Sequence, residues 1–117
     1  WSVLNRAEEQ QANDSVMHAA RMGDAFAINT LIARGDGSSI VSLINQLSNG
    51  KLQLEVDAQI NLVRASAQVI SVEIEEALIT LAKSNGDEAI MREAWRSRRR
   101  ANRRRLKEES RHAQATT

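Results

Sequence analysis

The stretch that decides the fold is Lys51–Ser84, KLQLEVDAQINLVRASAQVISVEIEEALITLAKS. Two templates compete for it. Its first part alternates strictly: Leu52, Leu54, Val56, Ala58, Ile60 and Leu62 are apolar, and every residue between them is polar. Taken alone, that is the pattern of a half-buried strand. The longer window follows another period. Val56, Ile60, Val63, Ala67, Ile70, Ile74, Ala77 and Leu81 take every a and d position of four heptads, which is the seam of packed helices. No Gly, Pro, Asn or Asp stands between Arg64 and Ile70 to turn a hairpin. The reading is therefore one long helix, with 51–57 either extended or helical at its start. Leu62, Val69, Val72 and Ile79 widen the stripe beyond a narrow seam. Such a helix is expected to be buried on two sides, by its own chain and by a neighbouring copy. The a and d residues are the candidate oligomer contacts.

Working toward the N-terminus, apolar positions recur at three-and-four spacing from about Ser2 to Ala33: Val3, Leu4 and Ala7, then Val16, Met17 and Ala20, then Phe26, Ile28, Leu31 and Ile32. This is an amphipathic helical stripe. Asn13-Asp14-Ser15 offers a break, with Asp14 or Ser15 capping a second helix. The run RGDGSS at Arg34–Ser39 stops the helix, with Gly35 as a C-terminal cap and Ser38 or Ser39 capping the next. That next helix spans about Ile40 to Ser48, and Asn49-Gly50 ends it. Working toward the C-terminus, Asn85-Gly86 closes the long helix and Asp87 caps the last one. Ile90, Met91, Ala94 and Trp95 give that last helix an apolar foot; beyond Trp95 only Ala101 and Leu106 are apolar through to Arg111. The expectation is an all-α fold of three or four helices, two of them long, forming an extended helical hairpin or bundle that oligomerises. A helical body occupies 1–86, and an arginine-rich helix with a frayed tail occupies 87–117.

Composition agrees with long helices. The 117 residues contain no proline and no cysteine, and the aromatics are Trp1, Phe26 and Trp95 alone. Nothing forces a kink, and disulfides, thiolate metal sites and a cysteine nucleophile are excluded. No apolar run is long enough to cross a membrane, and no signal peptide is visible. The chain starts at Trp1 rather than Met, as expected of a fragment or a processed product.

The net charge of +1 conceals a division. Residues 1–89 hold six basic and twelve acidic side chains, a balance of −6, while residues 90–117 hold ten basic and three acidic, a balance of +7. Seven arginines lie between Arg96 and Arg105. On a helix, Arg92, Arg96, Arg99 and Arg103 share one face, Arg100 and Arg104 broaden it, and Arg98 and Arg105 point elsewhere. Like charges at this spacing weaken a free helix, and only Glu108 and Glu109, facing Arg104 and Arg105, offer relief. Phosphates are the natural counter-ions for planar guanidiniums. The candidate nucleic-acid or anion-binding set is Arg92, Arg96, Arg98, Arg99, Arg100, Arg103, Arg104, Arg105 and Lys107. An acidic protein surface is the competing partner, and a solvated helix end is the bland reading. Trp95 is read as the anchor of this arm to the body, with base stacking as the other role open to it.

Little else in the sequence points to chemistry. Arg34-Gly35-Asp36 spells an adhesion tripeptide, but helix termination accounts for its glycine. His18 and His112 lack the companions of a metal site. Glu8-Glu9 and Glu75-Glu76 diverge on a helix and read as solvated faces. No nucleophile elbow or phosphate loop is present, so the chain is read as non-enzymatic, with no metal and no cofactor.

The span Ala25–Leu81, and within it GSSIVSLINQLSNGKLQLEVDAQINLVRASAQ, resembles two helical assembly families. One is the minor pilin family of type IV secretion systems; the other is the set of internal, genome-ejected proteins of short-tailed phages. Separately, the arginine run with Trp95 and Asn102 interleaved resembles the arginine-rich peptides with which some viral proteins bind RNA hairpins. These resemblances imply a structural subunit of a viral or secretion-type assembly, in contact with other subunits and, through its last helix, with nucleic acid. A dimeric nucleic-acid-binding regulator is the alternative.

Overall fold

The computed structural model describes residues 2–116, which form six helices and no strand: α1 Ser2–Arg21, α2 Ala25–Ala33, α3 Gly37–Ser48, α4 Val56–Ser66, α5 Val72–Ser84 and α6 Glu88–Thr116. Trp1 and the side chains of Val3, Leu4 and Ala7, the first positions of the N-terminal stripe, lie outside what is described.

Three glycine–aspartate pairs make three of the five junctions. Gly23, at φ +86°, ends α1. Its N–H donates to the Ala20 carbonyl at 3.0 Å, and the Asp24 N–H donates to the Ala19 carbonyl at 3.1 Å. This left-handed termination satisfies carbonyls that the helix end leaves open. Asp24 then caps α2 by accepting the Ala27 N–H at 3.0 Å. The same device recurs at Gly35, φ +67°, with Asp36 accepting from the Ser39 N–H at 3.2 Å and the Ser39 hydroxyl at 2.7 Å. Those hydrogen bonds hold the Asp36 carboxyl below its ordinary pKa. Arg34-Gly35-Asp36 is thus a helix junction whose carboxylate is engaged within the chain. At the third pair, Asp87 accepts the N–H groups of Ala89 and Ile90 at 2.9 and 3.3 Å and starts α6. The break expected at Asn13–Ser15 is absent; α1 runs through it, and the Ser15 hydroxyl donates back to the Gln11 carbonyl at 3.0 Å.

The expectation of three or four helices is corrected to six, and the largest part of the correction falls on the stretch Lys51–Ser84. Residues 51–55 are not helical, and Leu52 and Leu54 fold half-buried against the core. The long helix does not form either. The chain leaves the helix at Ala67, where the N–H groups of Gln68 and Val69 close short bonds to the Ala65 and Ser66 carbonyls at 3.0 and 3.1 Å. Ser71 starts α5: its hydroxyl accepts the Ile74 N–H at 3.3 Å and donates to Glu73 at 3.0 Å. A serine followed by acidic residues in the first turn is a helix-start signature, and it stands directly after Ile70.

The heptad residues consequently serve an internal core rather than one continuous seam. Val63, Ala67, Ile74, Ala77 and Leu81 are buried within the chain, Ile60 is half-buried, and Val56 and Ile70 are 41% and 48% exposed. The core gathers Ile28, Ile40, Leu43, Ile44, Leu62, Leu78 and Ile90 around them. α6 packs across both α4 and α5, α3 packs on α5, α2 on α4, and α1 on α2. The result is a slab of 46 × 43 × 20 Å, whose long dimension matches the ~43 Å of a 29-residue helix. Among the described residues no helix is long and apolar enough to cross a membrane.

Candidate functional site: the two flanks of the arginine helix

The sequence expects α6 to dock by its foot and lose contact after Trp95. In the fold, docking continues for three more turns. Ile90, Glu93, Ala94, Ser97 and Ala101 are at most 4% exposed. They follow one another at helical spacing, so the buried line persists although its residues turn small and polar. Alanine and serine at these positions let α4 and α5 approach α6 closely. From Leu106 to Ala115 every residue is exposed.

Two buried carboxylates, one on that line and one on α5, sort the arginines. Glu93 is 4% exposed and faces α4. Its Oε1 lies 3.2 Å from Arg64 Nε and 3.3 Å from an Arg100 terminal nitrogen, and its Oε2 lies 3.4 Å from Arg96. The Ser97 hydroxyl donates to it at 3.4 Å. Glu75 of α5 is 5% exposed and meets the opposite flank. Arg105 Nε donates to it at 2.6 Å and the Asn102 carboxamide at 2.9 Å. Burial pushes both carboxyls up, but the hydrogen bonds and nearby guanidiniums outweigh it, and both titrate below the ordinary carboxylate range. In return Glu75 and Glu109 raise the pKa of Arg105. Arg98 is half-buried beside Glu75, and its Nε is out of water without a hydrogen-bond partner among the described residues.

The nine predicted cations therefore divide. Arg105, Arg98 and Arg100 are drawn inward, at least in part, and act as counter-charges for the fold. Arg92 and Arg96 are exposed but paired, with Glu88 and Glu93. Arg99, Arg103, Arg104 and Lys107 are exposed and form no ion pair with any described residue. Arg92, Arg96, Arg99, Arg103 and Lys107 share the outward face, and Arg104 stands on the α4 flank. Trp95, half-buried, packs against the core.

Two participants were not legible in the α6 sequence. The sequence reading takes Glu75 as a solvated carboxylate and gives Arg64 no role. Both are assigned by partners about thirty residues away, and no local signal marks them. The sequence matches no protein-family model and no curated protein, and the fold matches no solved structure.

Proposed function

We propose that this chain is a non-enzymatic structural subunit whose last helix lies along the phosphate backbone of a nucleic acid. One observation supports the reading above the others. Four long cations, Arg99, Arg103, Arg104 and Lys107, stand exposed within three turns of one rigid helix and lack a carboxylate partner among the described residues. The fold has used its buried carboxylates to neutralise other arginines and has left these without counter-ions. Guanidiniums so placed suit phosphate oxygens, and a row along a helix contacts backbone without reading sequence.

The test is fluorescence anisotropy of a short labelled oligonucleotide across a salt series. Four to six neutralised phosphates give a log–log slope of roughly −4 to −5 on a duplex and roughly −3 to −4 on a single strand. Unrelated sequences should bind within a few fold of one another. Strong preference for one sequence would favour the regulator alternative, and no binding at low salt would remove nucleic acid from the account.

A further inference from the structure

A cleft of about 210 Å³ lies between α2 and α4, lined by Ala25, Ile28, Asn29, Asn61, Arg64, Ala65 and Gln68. Its chemistry is divided. Ile28 and Ala65 are buried and form an apolar floor. Asn29, Asn61 and Gln68 are exposed on its rim, and their carboxamides make no hydrogen bond with any described residue. Arg64 closes one side. Its Nε is fixed on buried Glu93 at 3.2 Å, and its terminal nitrogens are unengaged among the described residues. Three carboxamides and a braced guanidinium thus converge over an apolar surface. An apolar floor with a few convergent polar groups is the composition of a small-ligand site.

Two residues, Arg64 and Gln68, connect the cleft to the α6 cations. Arg64 shares the Glu93 carboxylate with Arg96 and Arg100, at 3.2, 3.4 and 3.3 Å. Gln68 also walls a second cavity of about 240 Å³, which holds Arg104, Lys107 and Arg111 together with Ile70 and Glu108. The carboxylate in that cavity, Glu108, lies 3.9 Å from Arg111, so three cations face one acid.

We infer that the cleft receives one unstacked base and that the nucleic acid bound by this chain is single-stranded. The inference rests on the phosphate-backbone reading of α6. The apolar floor takes the face of the base, and the carboxamides take donors and acceptors on its edge, as amide side chains do elsewhere. Arg64 and the Arg104–Lys107 side take the adjoining phosphates. A duplex keeps its bases stacked inward and cannot present one to a cleft set beside its backbone contacts, so it loses the carboxamide interactions.

The experiment compares a labelled single strand with the duplex of the same sequence by anisotropy. The proteins are the full chain, the triple variant Asn29→Ala, Asn61→Ala, Gln68→Ala, and the variant with Arg99, Arg103, Arg104 and Lys107 changed to Gln. The single strand is expected to bind about tenfold tighter than the duplex, a gap of one or two net hydrogen bonds. The triple variant should erase that gap and leave duplex binding as it was. Its three side chains are exposed and unbonded, so its thermal unfolding should match the parent. Equal binding of both forms, with the triple variant unchanged, would overturn the inference and leave the phosphate reading standing. Loss of the gap only in the α6 variant would likewise remove the cleft. Failure of every oligonucleotide to bind the unaltered chain would overturn both.

Discussion

The inner and outer sides of α6 carry the same residue type and do opposite things with it. On the inner side, Arg105 and Arg100 complete the coordination of Glu75 and Glu93, carboxylates that burial alone would force toward neutrality. On the outer side, Arg99 and Arg103 sit in water without partners among the described residues. The difference lies in what packs against the helix, since α4 and α5 each bring the inner flank against a carboxylate or an arginine. An arginine count therefore overstates the charge on offer to a ligand. The inner arginines hold α6 in place, and the outer ones are presented because it is held.

The strongest way to break this contrast is to extend the arginine run onto the buried line. Ala101 is 1% exposed. Ala101→Arg places an unpaired charge and excess volume between α6 and its neighbours, and should cost on the order of 4 kcal/mol or more in urea unfolding. Adding an arginine to the outer face at Leu106, which is 50% exposed, should cost well under 1 kcal/mol. Equal costs would mean that α6 does not dock as described.

A smaller effect follows from removing the inner anions. Glu93→Ala leaves Arg64, Arg96 and Arg100 without their shared partner and should destabilise by about 1–3 kcal/mol. Acid should mimic it. Glu75 and Glu93 titrate lower when folded than their ordinary value of 4.5. Their contribution is therefore complete above pH about 4.5 and is lost as pH falls through the lowered folded values. A Glu75→Gln, Glu93→Gln protein should have a flatter stability profile in that window. A parent whose stability does not change as pH falls through it would contradict the inner pairing.

The smallest change in stability belongs to the four cations that form no ion pair with a described residue. Replacing Arg99, Arg103, Arg104 and Lys107 by Gln should shift unfolding by no more than about 0.5 kcal/mol, while each lost cation that contacts a phosphate lowers the salt slope of nucleic-acid binding by about 1. A large loss of stability with binding intact would place these residues on the same footing as Arg105.

Much of this was readable one residue at a time. Helical character, the stops at Gly35, Gly50 and Gly86, Asp87 as a cap and the acid-to-base division of the chain are local properties of side chain and backbone, and no distant contact is needed to state them. Where reading by sequence failed, it failed at Gly23, which ends α1 where a break was expected at Asn13–Ser15, at Ser71 and after Trp95. The heptad pattern from Val56 to Leu81 is real in the sequence, but period alone does not say whether an apolar stripe meets another copy or another part of the same chain. A serine cap and two short turn bonds broke the stripe into α4 and α5. α6 then packed across both halves. Likewise, Ser97 and Ala101 do not look like a docking face, because their apolar area is small; they are buried because small side chains let helices close in. The sequence by itself determined that this chain is helical and that its basic charge lies at one end, since propensity, caps and charge are carried by each residue. The tertiary structure alone decided which arginines are spent inside and which face outward, because that depends on carboxylates brought together from about thirty residues away.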